Sequence, residues 1–330
     1  MSQDTTLLHT GDLSLDQEAW DRLAYFSYRP ELFFDSWATV KPTNQTQPGS
    51  QVTFTKFDDL DVATDSLDER TDVDAVTFGD SQITVTIEEY GNVVKNTRFL
   101  QATSYIPIDP VVANVLGYNA GESIDSIVRD ILYADSNSGF GDINITRVAD
   151  DGDRDDTTPD DTLEAKHVRR ARAALRRRHV PTFNGHYAAA IHPDVSVDLR
   201  EETGAAAWRD PQVYGTSQGR IWNGEIGIFE GVRFIETPRA KVWEGEGAGA
   251  EDTEADVYGT LFVGQQALAK AVPVVAGFGD QPRIVPGPVT DHLRRFVPLG
   301  WYHVVGYGRF REDSMERVES GSSLDEDYSD

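Results

Sequence analysis

The sequence predicts an α+β fold, and three stretches carry that prediction. Residues 51–57 (QVTFTKF) and 80–94 (DSQITVTIEEYGNVV) are strand patterns, with Ile83, Val85 and Ile87 alternating as in a half-buried strand. Residues 107–135 keep helical spacing through Val112, Val115 and Leu116, then Ser123, Ile124, Ile127, Val128, Ile131 and Leu132. Residues 162–210 join a strongly basic amphipathic helix to an apolar strand and a second short helix pattern.

Taken in order, residues 13–37 mix helix signals with Trp20, Tyr25, Phe26, Tyr28, Phe33, Phe34 and Trp37. Ser14 and Gln17 fit a capping box, and Pro30 ends or restarts the helix. So many aromatics near a terminus have two readings: a helix docked on its own core, or an arm packed onto a neighbouring subunit. Trp20, Phe33, Phe34 and Trp37 are the packing candidates of that arm. Residues 41–50 (KPTNQTQPGS) are a polar, turn-rich linker. The two strands that follow enclose residues 58–74, with eight acids and one Arg, so they read as a long hairpin with a charged tip. A lone hairpin is marginal in water. It must lie on its own domain or reach across to another chain.

The helix at 107–135 is opened by Pro107, Asp109 and Pro110, and Tyr118-Asn119-Ala120-Gly121 predicts a single break in it. A Gly- and Asp-rich loop spans 136–161, with seven acids between Asp150 and Asp161. The basic helix holds seven of the chain's 30 Lys and Arg between Lys166 and Arg178. At about 100° per residue, Val168, Ala171 and Leu175 form its apolar stripe, and Lys166, Arg169, Arg170, Arg176 and Arg177 gather opposite. Asn223-Gly224 signals a tight hairpin turn, and strands continue through 230–243. An acidic Gly-rich loop follows at 244–256. Residues 256–272 read as a buried strand running into a short helix. The last strand pattern is 298–310, and residues 312–330, with eight acids, read as an acidic tail.

Composition limits the function classes. A length of 330 residues suggests about two domains. Net charge is −26, from 56 acids against 30 bases, only six of them lysine. Such a surface stays soluble but repels itself, which is tolerable where salt shortens the Debye length to about 3 Å at molar strength. Without cysteine there are no disulfides, thiol nucleophiles or thiolate metal sites. The N-terminal MSQDTTLLHTGDLSLDQ shows no apolar core of signal-peptide length. No apolar run reaches the roughly 18 residues of a membrane span. A protein made and folded in a cytoplasm, with no membrane partner, is expected.

No motif supports catalysis, and no catalytic or cofactor-binding residue is assigned. His186 and His192 share one strand face but stand roughly 20 Å apart, too far to hold one ion. Asp151, Asp153 and Asp155 begin like a calcium loop, but Asp156 replaces the required Gly and Thr162 the required Glu. They remain weak metal candidates, and loosely bound cations in the acidic loops, there or at Asp58, Asp59 and Asp61, are the only cofactor-like ligands expected. Gly277-Phe-Gly279 and Gly306-Tyr-Gly308 lack the third glycine of a dinucleotide fingerprint. No phosphate-binding loop and no nucleophile elbow occur. For the basic helix face, three partners fit: nucleic-acid phosphates, acidic surface of a neighbouring copy, or the chain's own acidic loops. No base-stacking aromatics are interleaved with it, which disfavours a sequence reader.

The run LEAKHVRRARAALRRRHVPTFNGHYAAAIHPDVSVDLREE resembles a segment of the major capsid proteins of tailed double-stranded DNA viruses. NGEIGIFEGVRFIETPRAKVW (223–243) and DVYGTLFVGQQALAKA (256–271) are similar to two further blocks of that family, in the family's order. The branch resembled is the one related to large lytic podophages and found in haloarchaeal tailed viruses. Abundant Asp, scarce Lys and absent Cys also resemble proteins of salt-loving archaea. The resemblance implies the Hong Kong 97-type capsid fold: N-terminal arm (1–46), extended loop (47–98), peripheral domain (99–160 and 296–330) with a spine helix at about 107–135, and axial domain (161–295). It implies a homo-oligomer of hexamers and pentamers forming an icosahedral shell in the virion, assembled in the host cytoplasm and touching packaged DNA non-specifically. Portal, minor capsid or decoration proteins are implied partners, and any scaffold would be a separate protein. Lys166, Arg169, Arg170, Arg176 and Arg177 become inter-subunit or DNA-facing candidates. The closing segment departs from relatives at Thr290-Asp-His-Leu and Leu299-Gly-Trp-Tyr302. Lys56 lies in the extended loop, but without an identified acid catalyst and Asn partner it gives poor grounds for cross-linking. The rival readings are a cell-surface lattice protein, which would need export, and a halophilic enzyme with an unrecognised site.

Overall fold

The computed structural model describes residues 33–42, 51–57, 60, 62–64, 66, 75–77, 79–103, 108–137, 141–142, 144–149, 153–202, 225–249, 254–273, 279–288, 292–293 and 295–325. After a 3-10 turn at Phe34–Trp37 come β1 (Ala38–Pro42), β2 (Gln51–Phe57), β3 (Asp80–Thr86) and β4 (Glu88–Thr97). Next are α1 (Arg98–Thr103), α2 (Ile108–Tyr133), β5 (Ser136–Asn137), β6 (Gly141–Asp142) and β7 (Ile145–Arg147). The basic helix is α3 (Ala165–Arg177), followed by β8 (Tyr187–Ile191) and α4 (Pro193–Glu201). Then follow β9 (Glu225–Phe229), β10 (Val232–Glu236), β11 (Val242–Trp243), β12 (Val257–Val263) and β13 (Leu268–Val272). The chain closes with β14 (Arg283–Pro286), β15 (Phe296–Arg309) and β16 (Met315–Ser320).

Two sheets organise these elements. The larger runs β7-β16-β12-β8-β10-β9, with β11 also on β12. The stripe of α3 (Val168, Ala171, Leu175) packs with α4 (Val195, Leu199) and with Ile191, Phe234 and Phe262 of this sheet, so the predicted apolar face is buried as expected. The smaller sheet runs β1-β13-β15-β14, with β4 lying along β15 from Glu88↔Val305 to Thr97↔Phe296. The turn after β12 leads directly into β13, so the sheets are consecutive along the chain.

Several elements depart from expectation. The helix is unbroken: α2 runs 26 residues through Tyr118–Gly121. Small residues there let it approach β15, and Asn119 Oδ1 accepts a hydrogen bond from Trp301 Nε1 at 2.7 Å. The stretch 268–272 is a strand rather than a short helix. All five residues of β13 are buried, with β1 parallel on one side and β15 antiparallel on the other. That pairing outweighs the helix propensity of two alanines and a leucine. The pattern at 80–94 divides near Ile87: β3 pairs with β2, while β4 leaves to join β15. The Asn223-Gly224 turn lies outside the described residues. The hairpin turn seen is at Glu230-Gly231, both with positive φ (51° and 78°), which suits a tight two-residue turn.

The β2–β3 hairpin rests on its own chain at its root. Val52, Phe54 and Val85 pack on Ala269, Ala271 and Phe310. Gly306 and Gly308 make this contact: a Cβ on Gly306 would stand 2.5 Å from Thr86 O. The two glycines noted in the sequence therefore seat a hairpin rather than a nucleotide.

The largest correction is at the end of the chain. Residues 315–320 are not tail but β16, paired parallel to β7 and antiparallel to β12, with all six residues buried. Beyond it Asp198 of α4 accepts hydrogen bonds from Ser322 Oγ (2.9 Å), Ser323 N (3.1 Å) and Ser323 Oγ. Ending the chain after Ser314 should abolish cooperative unfolding of the whole fold, because an interior strand of the larger sheet is lost. Thermal melts followed by circular dichroism at high salt would check this.

Candidate assembly surfaces

Residues 33–37 pack on the core. Phe34 and Trp37 are buried against Ile124, Val128, Leu132 and Tyr133, and Phe33, Phe34 and Trp37 pack edge to face with centroids 4.9–5.6 Å apart. Asp125 Oδ1 accepts the backbone N–H of both Phe33 and Phe34 at 3.0 Å, and its Oδ2 faces Arg239 Nη1 at 3.3 Å. Lys270, only 1% exposed, holds Asp35 at 2.7 Å and Asp280 at 2.8 Å. Of the arm candidates, Phe34 and Trp37 thus pack on their own core, Phe33 sits part-buried beside them, and Trp20 lies outside the described residues.

The basic helix begins at Glu164, which forms a capping box with His167: His167 Nδ1 accepts the Glu164 N–H at 3.1 Å. Burial lowers the His167 imidazole to about 4, with Lys166 adding to the shift, so it is neutral and fit to accept. The cations then divide. Lys166 pairs with Glu164 at 2.8 Å, and Arg169 and Arg172 lie 3.7 and 3.4 Å from Glu230. Arg178 bonds Glu316 and donates to Asp313 O and Met315 O at 3.1 Å. Arg170, Arg176 and Arg177 are exposed, and no acid among the described residues pairs with them.

Sequence reasoning missed the charge cluster around β16. Arg317, fully buried, bonds Tyr133 O at 2.6 Å, Glu319 at 2.6 Å and Asp135. Arg154 reaches Asp135 (3.0 Å), Glu246 (2.6 Å) and Glu319 (2.9 Å) and lies 4.1 Å over the Trp243 ring. Arg147 adds a 2.9 Å contact to Glu319, and Arg309 joins Glu312 at 2.9 Å and Ala134 O at 2.8 Å. With Arg178–Glu316, five arginines meet five acids. An open cleft of about 580 Å³ beside it is lined by Asp135, Arg147, Arg154, Glu246 and Glu254, and its charges are largely spent on one another.

The weak metal candidates gain little. Asp153 and Asp155 stand with Asp156 within 4.8 Å of one another, all exposed, and Asp151 lies outside the described residues. Exposed acids gather this way without an ion. His192 caps α4, accepting the Asp194 N–H at 3.4 Å, and His186 precedes β8, so the two do not meet at a site. No helix among the described residues is long and apolar enough to cross a membrane.

Phe34 and Trp37 are seated in the core, while Arg170, Arg176 and Arg177 of α3 and Phe99 and Phe296 near the end of β4 remain exposed, an arrangement suited to a structural protein. A family model described as phage capsid protein matches residues 10–322, and the chain belongs to that family. Among solved structures it is similar to the capsid of Ralstonia phage GP4 (15% identity, 88% of this chain and 91% of that one, TM-score 0.72). It is also similar to the cyanophage Pam1 capsid (15%, 91% and 93%, 0.67) and to the mature capsid of bacteriophage PhiM1 (16%, 88% and 87%, 0.58). No curated protein matches the sequence significantly. The Hong Kong 97-type fold expected from the resemblance is the fold observed, and the chain is a major capsid protein of a virion shell, not an enzyme.

The cluster has a pH signature. Burial raises the Glu312 carboxyl from 4.5 to about 7, with Arg309 opposing and Asp313 adding. A raised folded-state value means the native state holds the extra proton, so this group's contribution falls as pH rises from 4.5 to about 7. Glu319 behaves oppositely: burial pushes it up, but Arg154 and Arg317 outweigh burial and hold it low, so its contribution is lost in acid. Glu312→Gln should raise the melting temperature at pH 8 and leave it nearly unchanged at pH 4, as calorimetry would read.

Proposed function

We propose that this chain assembles as hexamers and pentamers into an icosahedral shell around double-stranded DNA, in a tailed virus whose host is salt-loving. The carrying observation is the family match across residues 10–322. The proposed domains are arm 1–46, extended loop 47–98, peripheral domain 99–160 and 296–330 with α2 as spine, and axial domain 161–295. One adjustment follows from β16, which is hydrogen-bonded within the larger sheet and so belongs with the axial part. Scaffold, portal and decoration proteins remain partners for separate chains to supply. The mechanism is geometric: one fold buries several edges against several copies, and many small interfaces add up.

A net charge of −26 makes such a shell dependent on counterions. Particles purified in molar salt should loosen on dialysis to dilute buffer, seen by negative-stain microscopy. Intact shells there would overturn the salt-adapted reading. A sheet-like array would instead support the cell-surface lattice, and turnover by a compact monomer the enzyme.

Arg170, Arg176 and Arg177 are proposed to meet acidic surface on a neighbouring copy. Arg176→Glu should raise the salt needed for assembly several-fold, while Arg169→Glu should act within the chain by repelling Glu230. Unchanged assembly and salt tolerance in both variants would refute this role.

A further inference from the structure

Over its first half α2 is apolar on two sides. On one side Leu116 and Ala120, with Val112 part-buried beside them, pack with Leu299 and Trp301 of β15. On the other, Val111, Val115 and Tyr118 fall within an arc of about 60° at about 100° per residue. These three are 49%, 57% and 55% exposed. Acids make up 56 of the 330 residues, yet from Pro110 to Gly121 the sequence holds no charge of either sign, and from Gly91 to Ile108 it holds no acid. A helix that is apolar all round is a buried helix. Single exposed apolar side chains need no explanation, but three in helical register on so acidic a chain form a seam for a partner.

The stripe complements a second copy of itself. Val115 lies midway between Ile108, the first residue of α2, and the exposed Glu122, with seven residues or about 10.5 Å of helix on either side. Two such helices laid antiparallel about a twofold axis near Val115 set Val111 of each toward Tyr118 of the other. They also bring Glu122 of each to the first turn of the other, where the helix dipole is positive. Glu122 lies 3.6 Å from Arg239 in its own chain, but its side chain is 64% exposed and can face both. The stretch leading into that first turn is acid-free and carries the exposed Arg98. Position 109, an Asp, is about 200° around the helix from Val111 and so falls on the far side. A parallel pairing would set Glu122 against Glu122, so the charges select the antiparallel one.

We propose that the Val111–Val115–Tyr118 face of α2 joins copies of this chain in pairs, antiparallel and stripe on stripe, across a twofold axis near Val115. This inference rests on the capsid reading above and assigns the residues of one contact between its subunits. The contact is isologous, so each stripe is used once and the pairing closes on itself. The uncharged stripe supplies burial where two acidic chains can approach, and Glu122 fixes the direction.

The absence of cysteine permits a direct test. Val115→Cys, assembled at high salt and oxidised with copper phenanthroline, should give a dimer and nothing larger on a non-reducing gel. Val111→Cys and Tyr118→Cys should link when mixed. Val111→Cys alone should not, since antiparallel helices place its two copies about 12 Å apart along the axis, beyond disulfide reach. Val115→Asp, which sets two acids face to face, should raise the protein concentration needed for assembly about ten-fold with an unchanged circular dichroism spectrum, whereas Val115→Ile should leave it unchanged. Shells seen by microscopy without Val115→Cys dimers would overturn the α2 contact alone, whether maleimide finds that cysteine open or shielded by some other chain. Dimers from a chain that forms no shell would keep the contact and overturn the capsid reading. Linkage of Val111→Cys alone as strong as that of Val115→Cys would refute the antiparallel pairing.

Discussion

Arg317 sits fully buried in an interior strand of the larger sheet, and much of the molecule is arranged to keep it paired. Its guanidinium donates to the carbonyl of Tyr133 while bonding Glu319 and Asp135. Tyr133 is the last residue of α2, and no basic residue lies in that helix's own last turn. A helix end leaves carbonyls without partners and carries partial negative charge. Arg317 and, through Ala134 O, Arg309 supply the missing donors from strands about 180 residues away in sequence. A buried pair of this kind is weak evidence for net stability, but removing one member strands the other, at a cost of about 3–5 kcal/mol. The cluster thus ties the long helix to both sheets: β15 carries Arg309, and β16 carries Arg317.

The same economy of positive charge explains the surface. Of 30 bases, five arginines are committed to this cluster and one lysine to residues 33–37. Lys270 is nearly inaccessible between Asp35 and Asp280, an arrangement that binds residues 33–37 to β13, while Asp125 binds the same residues to the middle of α2. Among the described residues, Asp80, Glu88, Glu89, Asp153, Asp155, Asp156 and Asp160 are exposed. An acidic exterior around a paired interior is consistent with a fold that relies on salt to screen its surface while its internal pairs are shielded by burial.

Legibility followed the period of the pattern. The stripe of α3 was readable because Val168, Ala171 and Leu175 recur at helical spacing among arginines, and β2 and β3 because apolar and polar residues alternate. β16 was not. Met-Glu-Arg-Val-Glu-Ser looks solvated, and only Arg147, Arg154 and Arg178, far away in sequence, make its glutamates tolerable inside. In β13, Leu-Ala-Lys-Ala-Val has local helix preference that pairing on both edges overrides. The predicted break in α2 failed because small residues within a helix serve close packing as readily as they end it. Which basic side chains turn inward was equally hidden, since Arg169 and Arg176 are alike in sequence and differ only in whether Glu230 folds beneath them. The fold family came from three ordered sequence blocks, not from periodicity.

These features bear on how a chain without catalytic machinery specifies an assembly. Residues 33–37, the long helix and both sheets are cross-braced by Asp125, Lys270 and the arginine cluster, and exposed apolar or cationic side chains stand away from these braces, near the α1 end of β4 and on the outer face of α3. Phe99, Leu100 and Phe296 near the one, and Arg170, Arg176 and Arg177 on the other, are exposed although the chain is strongly acidic overall. Against like-charged neighbours, a subunit of charge −26 can approach another copy only where that repulsion is locally relieved. Acid-free and arginine-rich patches are where it is relieved. Charge patterning then restricts the allowed contacts before shape does, by making most pairings of two such surfaces repulsive.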